Sequence, residues 1–304
     1  MSDNGVNNGV VDETLQFIFE YNRVGGKREE LVKSVIQMAS VPDVSDKMKF
    51  QCLWEIGNNV EMFRIMQEKF QVPSSVLDTM CGVIHHDNDD DDDDEDIDTD
   101  NLLFRAIFRC WRDMVEELVK NQGMSLNRWN RWGFTPLMQA VTGQGEVAIA
   151  SILLNQPNIN LELKDRVHKM EGIGFTALQH AASHFTNPTE MVKLLLRNGA
   201  NPQPEAIDMN DRDILSCLLW REKPTIKNLL MYLVKDVGLP VPEGMSANPW
   251  VRMTHPDILA AWEVAKKEPR SLAILARRAV WRVHRVEQLT DEDVPENVRL
   301  FLNE

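Results

Sequence analysis

Cysteine is scarce in this sequence, and the cysteines that occur follow no recognisable ligand spacing. The chain of 304 residues has four, at positions 52, 81, 110 and 217, and none of them forms a CxxC pair. A chain of this length can bury a core without cross-links. We therefore interpret the cysteines as reduced core thiols, and not as a zinc site or a disulfide framework.

Long apolar runs are missing as well. No stretch approaches the roughly 20 apolar residues that a membrane helix requires. The opening segment, MSDNGVNNGV, has neither the basic region nor the apolar region of a secretory signal. We therefore expect an intracellular protein, located in the cytoplasm and, as a second compartment, the nucleus.

Basic residues are outnumbered. Lysine and arginine total 33 against 47 aspartates and glutamates, so the net charge is −14, which argues against a general nucleic-acid binder. Residues 85–100, HHDNDDDDDDEDIDTD, hold 11 of the acidic residues. Self-repulsion predicts that this tract is a solvated, disordered linker, while a cation site is the less favoured alternative because the tract lacks the turn glycine of a calcium-binding loop.

The motifs of common catalytic sites are absent too. The sequence contains no HExxH, no GxxxxGK[ST] and no GxSxG. We therefore expect a protein that is not an enzyme, with no catalytic residues, no cofactor and no bound metal. Paired carboxylates within 12–84 would be needed to revive an enzymatic alternative.

Helical periodicity is what the sequence has in place of these features. In 12–84, apolar residues recur at the spacing of one helix face, as in KREELVKSVIQMA. From residue 101 the apolar pattern repeats itself. Leu103, Leu137 and Leu178 begin similar patterns at offsets of 34 and 41 residues, and an alanine follows each leucine after three residues.

These repeats carry a specific motif. GFTPL at 133–137 and GFTAL at 174–178 match the G-x-T-P-L opening of the ankyrin repeat, and MVKLLLRNGAN at 191–201 is similar to its second helix and turn. The chain therefore resembles the ankyrin-repeat family. The resemblance implies an all-α ankyrin-repeat solenoid with an N-terminal helical extension and a small C-terminal helical box. Two repeats are clear, at 131–163 and 172–202, and two are degenerate, at 101–130 and 208–238.

The repeats depart from the family pattern at one position. The family usually has histidine directly after the motif leucine, where this sequence has Met138 and Gln179. We therefore expect either that other groups supply the hydrogen bonds of the turn or that the repeats are less stable. His180 comes one position later, and we interpret it as a packing or surface residue and not as a ligand.

A cluster of aromatic and basic residues lies at a repeat junction, in RWNRWGF at 128–134. Tryptophan and arginine are enriched in binding hot spots. The insertion at 164–172 enlarges a loop of the kind with which ankyrin proteins bind partners. We predict a substrate-binding set from the two segments, with packing of both tryptophans between repeats as the alternative. The set is Trp129, Arg131, Trp132, Lys164 and Arg166.

The C-terminal segment 268–304 has a pattern of its own. Apolar residues form one stripe along its first helix, and Ser271-Leu272, Ala276 and Val280 follow one another at the spacing of the elongin-binding half of a SOCS box. The segment resembles this module, which ends ankyrin-repeat substrate receptors of cullin-RING ubiquitin ligases. The alternative is an amphipathic helix that caps the last repeat.

The resemblance implies two binding sets within this segment. Leu272 would enter a pocket of elongin C, and the small Ala276 would allow close approach of a helix. In the cullin-binding half, Glu292-Asp293 replaces the leucine-proline pair of the family motif. The elongin-binding set is Leu272, Leu275, Ala276, Ala279 and Val280, and the cullin-binding set is Val294, Pro295, Val298, Phe301 and Leu302.

The function that the resemblance implies is that of a substrate-recognition adaptor. Its partners would be an unknown substrate protein, elongin C with elongin B, and a cullin with its RING protein. An ankyrin scaffold or signalling inhibitor without ligase recruitment is the alternative. We expect six regions: a flexible tail (1–11), a helical region with degenerate repeats as one alternative (12–84), an acidic disordered linker (85–100), ankyrin repeats (101–240), a linker (241–267) and the SOCS-like box (268–304).

Overall fold

The computed structural model describes the chain in part, and every regular element in that part is an α-helix. The predicted all-α class is therefore confirmed for these residues. The chain divides into two compact units, 1–126 and 127–304. The described residues are 30, 33–34, 36–37, 52–54, 56–70, 77–78, 101–120, 124–142, 146–166, 174–184, 188–202, 214–220 and 224–267.

In the described part of the first unit, three helices have defined bounds: α1 (Val60–Phe70), α2 (Leu102–Phe108) and α3 (Arg112–Val119). Asn101 starts α2, because its side-chain oxygen accepts a hydrogen bond from the backbone N–H of Phe104 at 3.0 Å. Arg105 on α2 lies over the rings of Trp54 and Trp111 and donates to the backbone carbonyl of Trp54 at 2.7 Å. This guanidinium therefore joins α2 to the segment around Trp54 through cation–π contacts and a hydrogen bond.

An ion pair joins α1 to α3. Arg64 lies 2.6 Å from Glu117, whose side chain is 18% exposed. The hydrogen bond from Arg64 is the main cause that lowers the pKa of Glu117, with the Arg64 and Lys120 charges adding to it against the opposing effect of burial. The ionised form of Glu117 is therefore favoured in the folded state.

This pair predicts an acid-dependent contribution to stability. A carboxyl with a lowered folded-state pKa stabilises the fold above its unfolded-state pKa, and that stabilisation is lost as the pH falls through the folded-state pKa. Glu117→Gln is therefore expected to unfold at lower urea concentration than the wild type at pH 7, and the difference should disappear at acid pH. The matched control is Glu116→Gln, whose side chain is 51% exposed. An equal shift in both variants, or a difference that persists in acid, would contradict the assignment.

The described residues within 136–235 of the second unit form three helix pairs. The first helix of each pair packs against the first helix of the next pair, α4 on α6 and α6 on α8, and the second helices stack in the same way. This is the arrangement of a solenoid, in which each repeat contacts its neighbours. The helices are α4 (Pro136–Thr142), α5 (Val147–Leu154), α6 (Ala177–His184), α7 (Pro188–Arg197), α8 (Ile214–Leu219) and α9 (Pro224–Lys235).

The predicted apolar pattern forms the core of this stack. The motif leucines Leu137 and Leu178 are buried, as are the alanines that follow them, Ala140 and Ala181. Pro136 stands at the first position of α4, where the missing backbone N–H costs no intrahelical hydrogen bond. Gly199 has a positive φ of 88° after α7, which a residue with a side chain rarely adopts.

Residues 241–267, where the sequence predicted a linker, form three further helices: α10 (Glu243–Ala247), α11 (Pro249–Thr254) and α12 (Pro256–Lys267). Pro249 and Pro256 begin two of these helices, and Asn248 caps α11 by accepting from the backbone N–H of Trp250 at 2.9 Å. α12 packs on α9, and Ile258 is fully buried there. The repeat stack is therefore extended by helices up to Lys267.

The described part of the chain contains no helix that is both long and apolar enough to cross a membrane.

Candidate functional site

The turn that opens each clear repeat is held by hydrogen bonds within four residues. In one repeat the backbone N–H of Thr176 donates to the side-chain oxygen of Gln179 at 2.8 Å, and the N–H of Gln179 donates back to the Thr176 hydroxyl at 3.4 Å. In the preceding repeat Thr135 and Met138 make the same exchange, with the Met138 sulfur as the acceptor. Gln179 and Met138 therefore accept the turn hydrogen bond at the position where the family has histidine.

A buried polar pair lies behind each of these turns. Asn130 Nδ2 donates to Gln139 Oε1 at 2.8 Å, and Asp165 Oδ2 lies 2.6 Å from His180 Nε2. Gln139 and His180 are 41 residues apart, which is the offset of the two repeats. The two pairs are therefore equivalent, one neutral and one built from ionisable groups.

Asn130 and Asp165 also close the base of the loop that leads into each G-F-T motif. Asn130 exchanges backbone and side-chain hydrogen bonds with Phe134, at 2.8 and 2.9 Å, and Asp165 makes the matching pair with Phe175 at 2.9 and 3.2 Å. Asp165 precedes Gly174 by nine residues, whereas Asn130 precedes Gly133 by three. The insertion therefore extends the loop between Asp165 and Phe175 and leaves the closing pair intact.

His180 is buried, which decides between the two interpretations offered for it. Its ring makes T-shaped contacts with the rings of Phe134 and Phe175, at centroid distances of 5.3 and 5.6 Å. It is thus a packing residue that also pairs with Asp165. In the described part of the chain, no group of three or more His, Cys, Asp or Glu side chains could hold a metal ion.

Side-chain hydrogen bonds also join consecutive loops along the stack. Asn127 accepts from the backbone N–H of Asn160 at 2.7 Å, and Glu162 accepts from that of Asn201 at 2.8 Å. Asn127 and Glu162 therefore occupy equivalent positions one repeat apart, and each accepts the same kind of hydrogen bond from the next loop. Each loop is fixed to the next, which makes this face of the stack a defined surface.

Four of the five predicted substrate-binding residues come together around one pocket. Residues 129–134 and Arg166 line an open pocket of about 590 Å³, which we call the Trp–Arg pocket. The Trp129 indole N–H donates to the Lys164 backbone carbonyl at 3.0 Å, and the Arg166 guanidinium lies 3.5 Å from the centre of the Trp129 ring. Arg166 N–H also donates to the Gly133 carbonyl at 2.9 Å.

The predicted substrate-binding residues differ in how far their side chains are exposed to solvent. Trp132 is 45% exposed and lies beneath the Arg131 guanidinium, 4.3 Å from it, so it does not pack between repeats. Trp129 is half-buried, and Arg166 is exposed. Lys164 is not among the described residues that line the pocket, and its backbone carbonyl accepts the hydrogen bond from the Trp129 indole. Whether the set binds a substrate stays a prediction, as do the elongin-binding and cullin-binding sets, which lie outside the described residues.

Sequence reasoning missed Asn130, Phe134 and Asp165, which build the frame of the pocket. The offset of 35 residues between Asn130 and Asp165 differs from the offset of 41 between the G-F-T motifs, so the equivalence is hidden. A separate alignment of the loop bases would have found it. Asp165 is a buried acid that lies in sequence between the basic residues Lys164 and Arg166.

Comparison with known families agrees with the stacked helix pairs. Residues 73–165 match a family model described as ankyrin repeats in three copies, and residues 173–213 match the model of a single ankyrin repeat. The chain contains ankyrin repeats. The stacked helix pairs of the second unit have the predicted arrangement of an all-α ankyrin solenoid, and ankyrin repeats are a protein–protein interaction module.

The ankyrin matches begin and end at informative places. The first begins at residue 73, upstream of the acidic tract, in the region for which the sequence left membership of the stack open. The second ends at residue 213, so neither reaches the C-terminal segment 268–304. No curated protein matches the chain.

Proposed function

We propose that this protein is a non-catalytic substrate-recognition adaptor of an elongin B/C–cullin–RING ubiquitin ligase. The ankyrin repeats bind a target protein, and the C-terminal segment 268–304 recruits elongin C. The observation that carries the proposal is the series Ser271-Leu272, Ala276 and Val280, placed directly after an ankyrin stack.

The position of the segment supports the proposal. α12 packs on α9 and ends at Lys267, so the elongin-binding pattern begins within a few residues of a helix that belongs to the stack. A short connection limits the volume that a tethered ligase can explore, and this raises its effective concentration at a bound target. Ubiquitin transfer would then depend on proximity alone, without catalytic residues in this chain.

The test is replacement of the residue that would enter the elongin C pocket. Leu272→Asp would place a charge in an apolar pocket, and truncation of a hot-spot residue costs 2 kcal/mol or more. We therefore expect the affinity for purified elongin B/C to fall by about thirtyfold or more. Isothermal titration calorimetry with the full chain measures it.

The matched control places the same charge at an apolar position outside the motif. Val264 on α12 is 55% exposed, so Val264→Asp should leave elongin binding unchanged. If Leu272→Asp retained the affinity of the wild type, ligase recruitment through this segment would be wrong.

The second candidate is an ankyrin scaffold without ligase recruitment, which the family matches favour because they cover the repeats and stop at residue 213. For a scaffold, a chain that ends at Lys267 should bind its partner as the full chain does and leave the turnover of that partner unchanged. For an adaptor, the shortened chain should bind the partner and fail to promote its turnover.

A further inference from the structure

The Trp–Arg pocket is basic, whereas the protein as a whole is acidic. The chain as a whole has a net charge of −14, yet the segments 128–134 and 164–166 hold four basic residues and one acid. That acid, Asp165, is buried against His180 and does not face solvent. The residues that line the pocket include two arginines and no carboxylate.

The two guanidiniums are held by aromatic rings. Arg166 lies 3.5 Å from the Trp129 ring centre, and Arg131 lies 4.3 Å from that of Trp132. An arginine stacked on an aromatic face keeps N–H groups along the edge of its plane, where they match the two oxygens of a carboxylate. The guanidinium of Arg166 is therefore held in position before a ligand binds.

The frame beneath Arg166 is also fixed. Its backbone N–H donates to Gly133, and the Trp129 ring below it is tied to the Lys164 carbonyl. Asn130 closes the loop from inside by hydrogen bonds to Phe134 and Gln139. A site whose groups are already ordered loses less conformational entropy on binding, and more of the interaction appears as affinity.

We propose that the Trp–Arg pocket binds an acidic peptide segment of the target protein, with a glutamate or aspartate side chain on Arg166 and an adjacent aromatic or apolar side chain on the exposed face of Trp132. This inference rests on the proposed role of the repeats as the substrate-binding part, and it does not require elongin recruitment. Charge complementarity identifies the partner, because the pocket is basic although the net charge of the protein is negative.

The same charge balance favours a peptide over a nucleic acid. Arginine and tryptophan also bind single strands, through phosphate contacts and base stacking. A strand extends far beyond one pocket, however, and its phosphates would meet the field of a chain with a net charge of −14. A short acidic segment needs only the local basic surface.

The experiment uses two fluorescent peptides and the full chain. One peptide has glutamates around a central phenylalanine, and the other has glutamine in place of every glutamate. Fluorescence anisotropy should show the glutamate peptide binding about tenfold or more tightly than the glutamine peptide. Its affinity should fall as salt rises, because ions screen exposed charges.

Variants locate the binding. Arg166→Gln should weaken binding of the glutamate peptide by about tenfold, since it removes the charged fork. Arg166→Lys should restore part of the affinity, because it keeps the charge and loses the planar pair of donors. The matched control is Arg197→Gln, at the end of α7 and outside the pocket, which removes the same charge and should change binding little.

Several outcomes would overturn the inference: equal affinity for the two peptides, no saturable binding of the glutamate peptide, or equal losses in Arg166→Gln and Arg197→Gln. Tighter binding of a labelled oligothymidylate, lost in Arg166→Gln, would assign the pocket to nucleic acid instead. Because elongin binding is measured separately with Leu272→Asp, failure here leaves the ligase proposal standing, and the reverse also holds.

Discussion

Asp165→Ala is expected to lower the free energy of unfolding by about 3 kcal/mol, because breaking a buried pair leaves its other member without compensation. Asp165 faces His180 at 2.6 Å and accepts from the backbone N–H of Phe175. Both side chains of the pair are almost completely buried, so water cannot replace the lost oxygen. Urea unfolding followed by circular dichroism measures the change.

The preceding repeat supplies the matched variant. Asn130 and Gln139 occupy the equivalent positions as a neutral pair at 2.8 Å. The double variant Asp165→Asn with His180→Gln transfers that pair and should restore the stability to within about 1 kcal/mol of the wild type, as expected when both partners are replaced together. A double variant as unstable as Asp165→Ala would show that the two repeats do not use the pair in the same way.

Gly174→Ala is expected to destabilise the protein by about 2 kcal/mol, through steric overlap in a packed region. A Cβ atom there would lie 2.7 Å from Lys164 Cβ and 2.8 Å from the Asp165 carbonyl oxygen. The backbone of Asp165 would have to move, although it is paired with Phe175. The unfolding midpoint in urea is the measurement.

The control for this substitution is Gly244→Ala. Gly244 lies in α10, and a Cβ there would meet nothing within 4 Å. The alanine should therefore stabilise the helix by up to about 0.5–1 kcal/mol. A second check combines Gly174→Ala with Asp165→Ala, because both disturb one loop base, and the combined loss should be smaller than the sum. If the two losses of unfolding free energy were strictly additive, Gly174→Ala would act at a place other than this loop base.

Local spacing was enough to predict the helix pairs. Leucine and alanine three residues apart recur at Leu137 and Leu178 with a glycine-led turn before them, and each feature concerns neighbours in sequence. The turn hydrogen bonds were harder to anticipate. The expectation that they would come from elsewhere is wrong, because Gln179 and Met138 themselves accept them at the family's own position.

Two other features lay beyond the sequence for identifiable reasons. The Asp165–Phe175 closure joins residues on either side of an insertion, so its offset differs from that of the repeat. Residues 241–267 were predicted to be a linker, yet Pro249 and Pro256 begin helices there; proline both ends and begins helices, and the sequence alone does not say which. Burial of Val251 and Ile258 decides for helices, and burial is a tertiary property.

The candidate site was predictable in composition and not in geometry. Trp129, Trp132 and the nearby arginines were selected by residue type, and the structure places them around one pocket. Their stacking depends on contacts across 35 residues of sequence, such as Trp129 to the Lys164 carbonyl. No local pattern encodes such a contact.

Closure of the loop at its base by Asp165 and Phe175 has an evolutionary consequence. The stem is fixed by hydrogen bonds that do not depend on how many residues lie between its ends. Lengthening a closed loop costs little free energy, since the entropy of closure grows only with the logarithm of its length. Selection can therefore rewrite the residues after Arg166 to suit a new target while the register of the stack is inherited unchanged.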